Sequence, residues 1–286
     1  MKVTAFVGSA RKKGTYHSTL QFLKHLQSLG DIDYEIVSLS DYHLHVCRGC
    51  KQCFDKGEDH CPFQDDRDQL IGKIRHSEGV VFATPNYSFH VSGFMKIFLD
   101  RLGFMFHRPQ FFGKTFTNIV YQGIYGGKKI NKYLDFIGGG LGFRVVKGIC
   151  LTSVEPVTEK SQRKIDRKIE RLSQQFFTRL REQSYPSPSF FDMMKFRMSR
   201  TSIRRMLDEN SRDYTYYRDQ GWFESGYFYP VRLNPFQRLT GTIFDRLAVW
   251  TTKNDGSNGK AIASSPKTHL QKEVVDEDRP DGTGIV

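Results

Sequence analysis

The sequence predicts an α/β domain with a doubly wound, five-stranded parallel sheet, followed by a helical or irregular C-terminal extension. Short apolar runs alternate with amphipathic segments through residue 182. The runs are nearly continuous in hydrophobicity, as strands buried on both faces require. Each run is followed by a segment with helical spacing, so successive strands are parallel and joined by right-handed crossovers.

Residues 3–7 form the first strand, and the turn from Gly8 to Gly14 follows it. Leu20, Leu23 and Leu26 then recur at helical spacing. Residues 34–39 read as the second strand, 66–74 as a helix and 79–83 as the third strand. Residues 91–102 form a helix with Phe94, Ile97, Phe98 and Leu102 on one side. A fourth strand spans 115–121, a helix 128–137 and a fifth strand 144–151. The series closes on a helix over 159–183 with Ile165, Ile169, Leu172, Phe176 and Leu180 on one face. Residues 1–184 are thus one domain. Residues 185–250 lack the strand–helix alternation and carry aromatics, Arg and Met, with a basic amphipathic helix expected over 189–208. From Thr251 to Val286 the composition turns to Asn, Gly, Ser, Pro and charge, which reads as a disordered tail.

The chain has 286 residues, 38% hydrophobic and 26% charged, enough for a packed core. No stretch approaches the ~20 apolar residues of a membrane span. The N-terminus reads as a strand and not as a signal peptide, so a cytoplasmic location is expected. The net charge of +12 is spread over the folded part, which favours anionic ligands such as phosphates and dinucleotides.

Doubly wound sheets bind ligands at the carboxyl ends of their strands, where strand order reverses. That points to the turns after Val7, Ala83 and Tyr121. The first turn enters a helix, whose N-terminus presents unpaired N–H groups at the positive end of its dipole. Hydroxyls of Ser9, Thr15 and Ser18 and the guanidinium of Arg11 add donors, as a phosphate dianion requires. Tyr16 and His17 complete this candidate set. Neither Gly-x-x-x-x-Gly-Lys-Ser/Thr nor Gly-x-Gly-x-x-Gly is present here, which argues against a nucleotide triphosphatase and against a dinucleotide fingerprint. The alternative is a plain helix cap with solvated charges.

These residues carry a resemblance. Gly8-Ser9-Ala10-Arg11-Lys12-Lys13-Gly14-Thr15 is similar to the opening turn of the NADPH-dependent FMN reductase family, within the flavodoxin-like superfamily. Ala10 replaces the usual Pro and Thr15 the usual Asn. The segment from Pro85 and Tyr87 through Ser92, Lys96, Phe98, Asp100 and Arg101 resembles the family's second loop. Gln122, Gly123, Tyr125 and Gly126 resemble its glycine-rich third loop. The likeness covers about residues 1–180. It implies a flavodoxin-like fold, FMN as cofactor, NAD(P)H as co-substrate and a homodimer or higher oligomer. Pro85, Asn86, Tyr87, Ser88 and Phe89 are then expected at the flavin ring, with Tyr87 and Phe89 supplying flat apolar faces. Hydride passes from the nicotinamide to the flavin and on to a quinone, nitro compound, flavin or similar small-molecule acceptor. The cofactor carries that chemistry, so no acid or base catalyst is assigned.

Five cysteines are present, and Cys47, Cys50, Cys53 and Cys61 follow Cys-x2-Cys-x2-Cys-x7-Cys-Pro. The compact triple resembles iron–sulfur ligation and the motif of the iron-sulfur flavoproteins, a branch of the same superfamily. A 4Fe–4S cluster, free thiols beside a flavin and a zinc site all stay open. A cluster implies single-electron relay with a ferredoxin-like partner. His45 and His60 flank the run and read as incidental. Cys150, in the predicted fifth strand, reads as a buried core thiol.

A third class of function is a binding module. Residues 189–205 could rest on anionic membrane with Phe190, Phe191, Met194 and Phe196 inserted, or bind nucleic acid. The preferred reading is an arm packed on the core or on a second subunit, which leaves membrane and nucleic acid aside.

Overall fold

The computed structural model describes residues 1–154, 156–182 and 185–258. Its N-terminal part runs β1 (Lys2–Val7), α1 (Gly14–Leu29), β2 (Asp33–Ser38), α2 (Gln52–Asp55), α3 (Arg67–Arg75), β3 (Gly79–Pro85), α4 (Gly93–Arg101), β4 (Thr115–Gln122), α5 (Gly127–Gly140), β5 (Arg144–Val145), β6 (Ile149–Thr152) and α6 (Glu159–Arg181). The sheet order is β2-β1-β3-β4-β5, with β6 also paired to β4. Every pairing is parallel. This is the flavodoxin-like doubly wound sheet.

Alternation along each strand feeds two cores. Phe6, Val80, Phe82 and Phe116 face α3, α4 and α5, meeting Leu70, Ile74, Phe98 and Leu134. Ala5, Val7, Val81 and Ala83 face α1 and α6, meeting Phe22, Leu26, Ile169 and Phe176. All of β3 is buried, which is why its sequence has no polar alternation.

The fifth strand, predicted as one run over 144–151, is broken in two. The cause is a polar network beneath residues 146–148. Asp135 accepts from the Gly148 N–H at 3.0 Å and from Asn118 Nδ2 at 2.7 Å, while Asn131 Nδ2 donates to Asn118 Oδ1 at 2.7 Å. A Cβ at Gly148 would lie 2.3 Å from Asn118 Oδ1, so the strand bows over that side chain. Cys150 is only partly buried, and burial pushes its thiol pKa up.

The extension comprises α7 (Phe190–Met206), α8 (Arg212–Asp219) and α9 (Pro235–Asn258). A capping box between Ser189 and Asp192 starts α7. Met193, Phe196, Tyr217, Trp222, Tyr227 and Phe244 form a third core, reached from the first domain by Phe112, which stacks on Phe228 at 5.1 Å. Phe196 is fully buried and Met194 half-buried, so these two are not available for the membrane-facing arrangement. The extension packs on its own chain. Buried Arg108 joins it to the first domain through an ion pair with Asp213, and it also donates to the Cys53 carbonyl at 2.9 Å and to Glu58 at 3.1 Å. Helix α9 continues through Asn258, past the Thr251 at which a disordered tail was expected; residues 259–286 of that tail lie outside the described residues. Among the described residues no helix is long and apolar enough to cross a membrane.

Candidate functional site

Three turns leave the carboxyl edge of the sheet side by side, at the switch in strand order between β1 and β3. The Gly8 N–H donates to the Ala83 carbonyl at 2.8 Å, and the Asn86 N–H to the Tyr121 carbonyl at 2.8 Å. The ends of β1, β3 and β4 are thereby held in register. A Cβ at Gly8 would meet Ser92 Oγ at 2.6 Å, so glycine is required for this approach.

The first turn delivers the start of α1. No side chain caps this helix and its first turn carries no acid. The Lys13 N–H bends back to the Arg11 carbonyl at 2.8 Å, and the His17 N–H already bonds the Lys13 carbonyl at 2.9 Å. The N–H groups of Gly14, Thr15 and Tyr16 are left without an intrahelical acceptor. Thr15 and Ser18 are buried beneath the turn, while Arg11, Lys12 and Lys13 are exposed around it. Lys12 Nζ lies 5.7 Å from the Tyr16 ring centre. Ser9 Oγ donates to the Arg11 carbonyl at 3.0 Å, which shapes the turn. Unpaired amides, a dipole end and three cations suit a bound anion. His17 is exposed, 5.9 Å from the Tyr16 ring, and lines a groove along α1 with Leu20, Gln21 and Lys24.

The second turn is a two-residue hairpin. Tyr87 and His90 exchange backbone hydrogen bonds at 3.1 and 2.9 Å. Ser88 and Phe89 both take left-handed φ, 49° and 62°, where a side chain costs about 1–2 kcal/mol per residue. The turn holds the Phe89 ring outward, 59% exposed, at 5.2 Å from the Tyr125 ring. Asn86 Nδ2 donates to the Tyr125 carbonyl at 2.9 Å. Its Oδ1 is buried and has no partner among the described residues. Such an oxygen is an acceptor open to a ligand N–H. Pro85 is the last, buried residue of β3.

The third turn is fixed by Gln122. Its amide donates to the Ile124 carbonyl at 3.2 Å and to Thr152 Oγ1 at 2.8 Å, and it accepts from the Gly127 N–H at 2.6 Å. This side chain is committed inside the protein and positions the loop. Gly126 sits at φ 97°, ψ −28°, and a Cβ there would lie 2.9 Å from Phe89. Gly123 meets no such constraint.

The edge therefore gathers Ser9, Arg11, Thr15, Tyr16, Ser18, Asn86, Tyr87, Ser88, Phe89, Tyr125 and Gly126. Two residues named in the sequence motifs support the edge in roles the sequence did not assign. Ser92 caps α4, accepting from the Met95 N–H at 3.3 Å. The Tyr121 ring packs on Gly14, where a Cβ would come within 2.3 Å of it. A serine before Gly93 and a glycine at the helix start are the signals that could have assigned these roles.

Three of the four clustered cysteines are near neighbours, with burial first and then Cys47 and Cys50 raising the Cys53 thiol. Cys47 and Cys50 are exposed, and Cys53 and Cys61 are partly buried. Arg101, itself buried, donates to Cys61 Sγ at 3.1 Å and to Asp65 at 2.9 Å. Burial alone would raise the Cys61 thiol, but the Phe63 N–H and the guanidiniums of Arg101 and Arg67 hold it below its ordinary pKa. Burial raises the Cys53 thiol. Among the described residues no three Cys, His, Asp or Glu side chains converge to hold a metal ion.

Comparison with known proteins adds four findings. The sequence profile of the NADPH-dependent FMN reductases matches residues 1–155. An iron-sulfur flavoprotein of Archaeoglobus fulgidus is 28% identical over 233 residues, spanning 78% of this chain and 100% of that protein. Among solved structures, RosB with bound 8-demethyl-8-formylriboflavin-5'-phosphate aligns with a TM-score of 0.50 at 13% identity, covering 100% of this chain and 98% of RosB. An NAD(P)H:quinone oxidoreductase from Methanothermobacter marburgensis aligns with a TM-score of 0.51 at 13% identity, over 65% of this chain and 99% of its own. At these identities the structural likeness is one of fold.

Proposed function

This chain belongs to the NADPH-dependent FMN reductase family, and from that premise we propose that its three-turn edge binds FMN and reduces a small-molecule acceptor at the expense of NAD(P)H. The observation that carries the assignment is the uncapped, cation-ringed start of α1 lying beside two turns that offer rings and an unpaired carbonyl. The α1 amides, Arg11 and the Thr15 and Ser18 hydroxyls would take the FMN phosphate. Asn86 Oδ1 and nearby backbone groups would meet the polar edge of the ring, and Tyr87, Phe89 and Tyr125 would lie against its apolar surface. When bound, FMN supplies the redox chemistry, taking up hydride from a nicotinamide and passing reducing equivalents to a quinone, nitro compound or flavin. The protein's part would be to orient the ring. The basic surface near Arg11, Lys12 and Lys13 attracts the anionic dinucleotide.

The test is spectroscopic. Protein loaded with FMN under anaerobic conditions should lose its yellow colour on addition of NADPH and regain it when a quinone is added. Colour that persists through excess NADPH and NADH refutes the assignment.

A second reading is supported by the cysteine spacing and by the name of the Archaeoglobus relative. It is an iron-sulfur flavoprotein working with a ferredoxin-like partner. It requires residues 47–61 to bring the four thiols together; the Arg101 hydrogen bond to Cys61 is compatible with ligation, since cluster sulfurs accept N–H···S bonds. Four iron atoms per chain in anaerobically purified protein would establish it, and iron-free protein active with NADPH would remove it.

A further inference from the structure

Helix α9 has two apolar faces, and among the described residues only one is covered. Thr240, Phe244, Ala248 and Thr252 are buried, and α9 packs against α7. Phe236, Leu239, Ile243, Leu247 and Trp250 are between 45% and 65% exposed. At 3.6 residues per turn these five fall within an arc of about 80°, over about 21 Å of helix.

The order of the stripe is symmetric about Ile243. Phe236 and Trp250 lie seven residues to either side of it, and Leu239 and Leu247 lie four to either side. A two-fold axis through Ile243 would set the helix antiparallel to its own copy. Phe236 would then meet Trp250 of the partner subunit, and Leu239 would meet Leu247 of the partner subunit. An isologous contact requires this self-complementarity.

Area and charge choose the occupant. From their exposed fractions, the five side chains present roughly 300–500 Å² of apolar surface. That is as much as the largest apolar patch of an ordinary monomer. It is also close to the apolar share, about 60%, of an interface burying about 800 Å² per partner. A helix lying on anionic lipid needs a polar face rich in Lys and Arg. Here Arg238 and Arg246 are the only cations between Pro235 and Trp250, and Asp245 is paired to Arg197 and Arg200. We infer that the exposed stripe of α9 is an interface for a second copy of this chain, joined antiparallel about Ile243.

The test is the solution mass of the full-length chain by light scattering and sedimentation equilibrium. The wild type should run as two chains, or as an even multiple. Ile243→Lys should halve that mass with an unchanged circular dichroism melt. Thr242→Lys, on the same helix outside the stripe, should leave the mass alone. Leu239→Ser serves as a second disrupting variant should Ile243→Lys melt early. A monomeric wild type, or disrupting variants that keep the wild-type mass, overturn the inference. So does a monomeric chain that pellets with phosphatidylserine vesicles through this stripe, which would assign the face to membrane.

Discussion

Gly126 joins two of the three turns, and Gly126→Ala perturbs them at a point where the outcome can be worked out. Its backbone, at φ 97° and ψ −28°, lies outside the region open to residues with a Cβ. A residue forced into such a conformation costs about 1–3 kcal/mol. The added methyl would also lie 2.9 Å from Phe89 Cδ1 and 3.3 Å from Asn86 Nδ2. The Phe89 ring is exposed and can swing away, so the clash is relieved at the expense of its contact with Tyr125. The backbone term remains. If the loop relaxes, FMN binding has to restore the glycine-like conformation, and the dissociation constant should rise about 5- to 150-fold. If the loop holds, the same 1–3 kcal/mol appears as lost stability. Flavin fluorescence titration reads the first outcome and urea unfolding of the flavin-free protein the second. An alanine variant that matches the wild type within about twofold in affinity, and to better than about 0.5 kcal/mol in stability, refutes the role given to this turn.

Asp213→Asn should reduce stability by about 1.5–3 kcal/mol, because it removes one of the two carboxylates beside fully buried Arg108 and leaves Glu58 as the other; a urea midpoint unchanged from wild type would contradict this. Burial pushes the pKa of Glu58 up, but its own backbone N–H and the cations Arg108 and Arg212 outweigh that and hold it below the ordinary range. A depressed folded-state pKa contributes stability that is complete above the usual carboxylate range, about pH 4, and is lost as pH falls through the lowered value. Glu58→Gln should therefore flatten the acid limb of a stability–pH curve, and an acid limb as steep as the wild type's would count against it. Phe196→Ala, in the core of the extension, should cost about 3–5 kcal/mol while leaving FMN affinity within about twofold; a large loss of flavin affinity would mean that the extension reaches the site.

The sheet was legible in the sequence because its strands are buried on both faces, as the unbroken run of β3 illustrates. The site edge followed from it, since the three turns are fixed once the strand order is known. The break between β5 and β6 was not legible, because Asn118 and Asp135 lie on other elements and meet Gly148 only in three dimensions. The same holds for Arg108 and Asp213, which are 105 residues apart. Gln122 had the right chemistry in the right segment, but the orientation of a side chain on its element is set by packing, and Gln122 turns inward to fasten the loop. The cysteine spacing was plain, yet spacing says nothing of the Arg101 hydrogen bond that holds Cys61. In the extension, aromatic contacts among segments such as Trp222 and Phe228 replace periodicity, so the reading there stayed coarse.

The central claim is that the start of α1 grips the phosphate of FMN, and comparing FMN with riboflavin on the same protein tests it most directly. Charge-assisted hydrogen bonds contribute about 1.5–3 kcal/mol each, so FMN should bind at least about tenfold more tightly than riboflavin. Arg11→Ala should erase much of that difference by weakening FMN alone. Equal affinities for the two ligands in the wild type, or an Arg11→Ala variant that weakens both alike, would place the phosphate elsewhere and contradict the account.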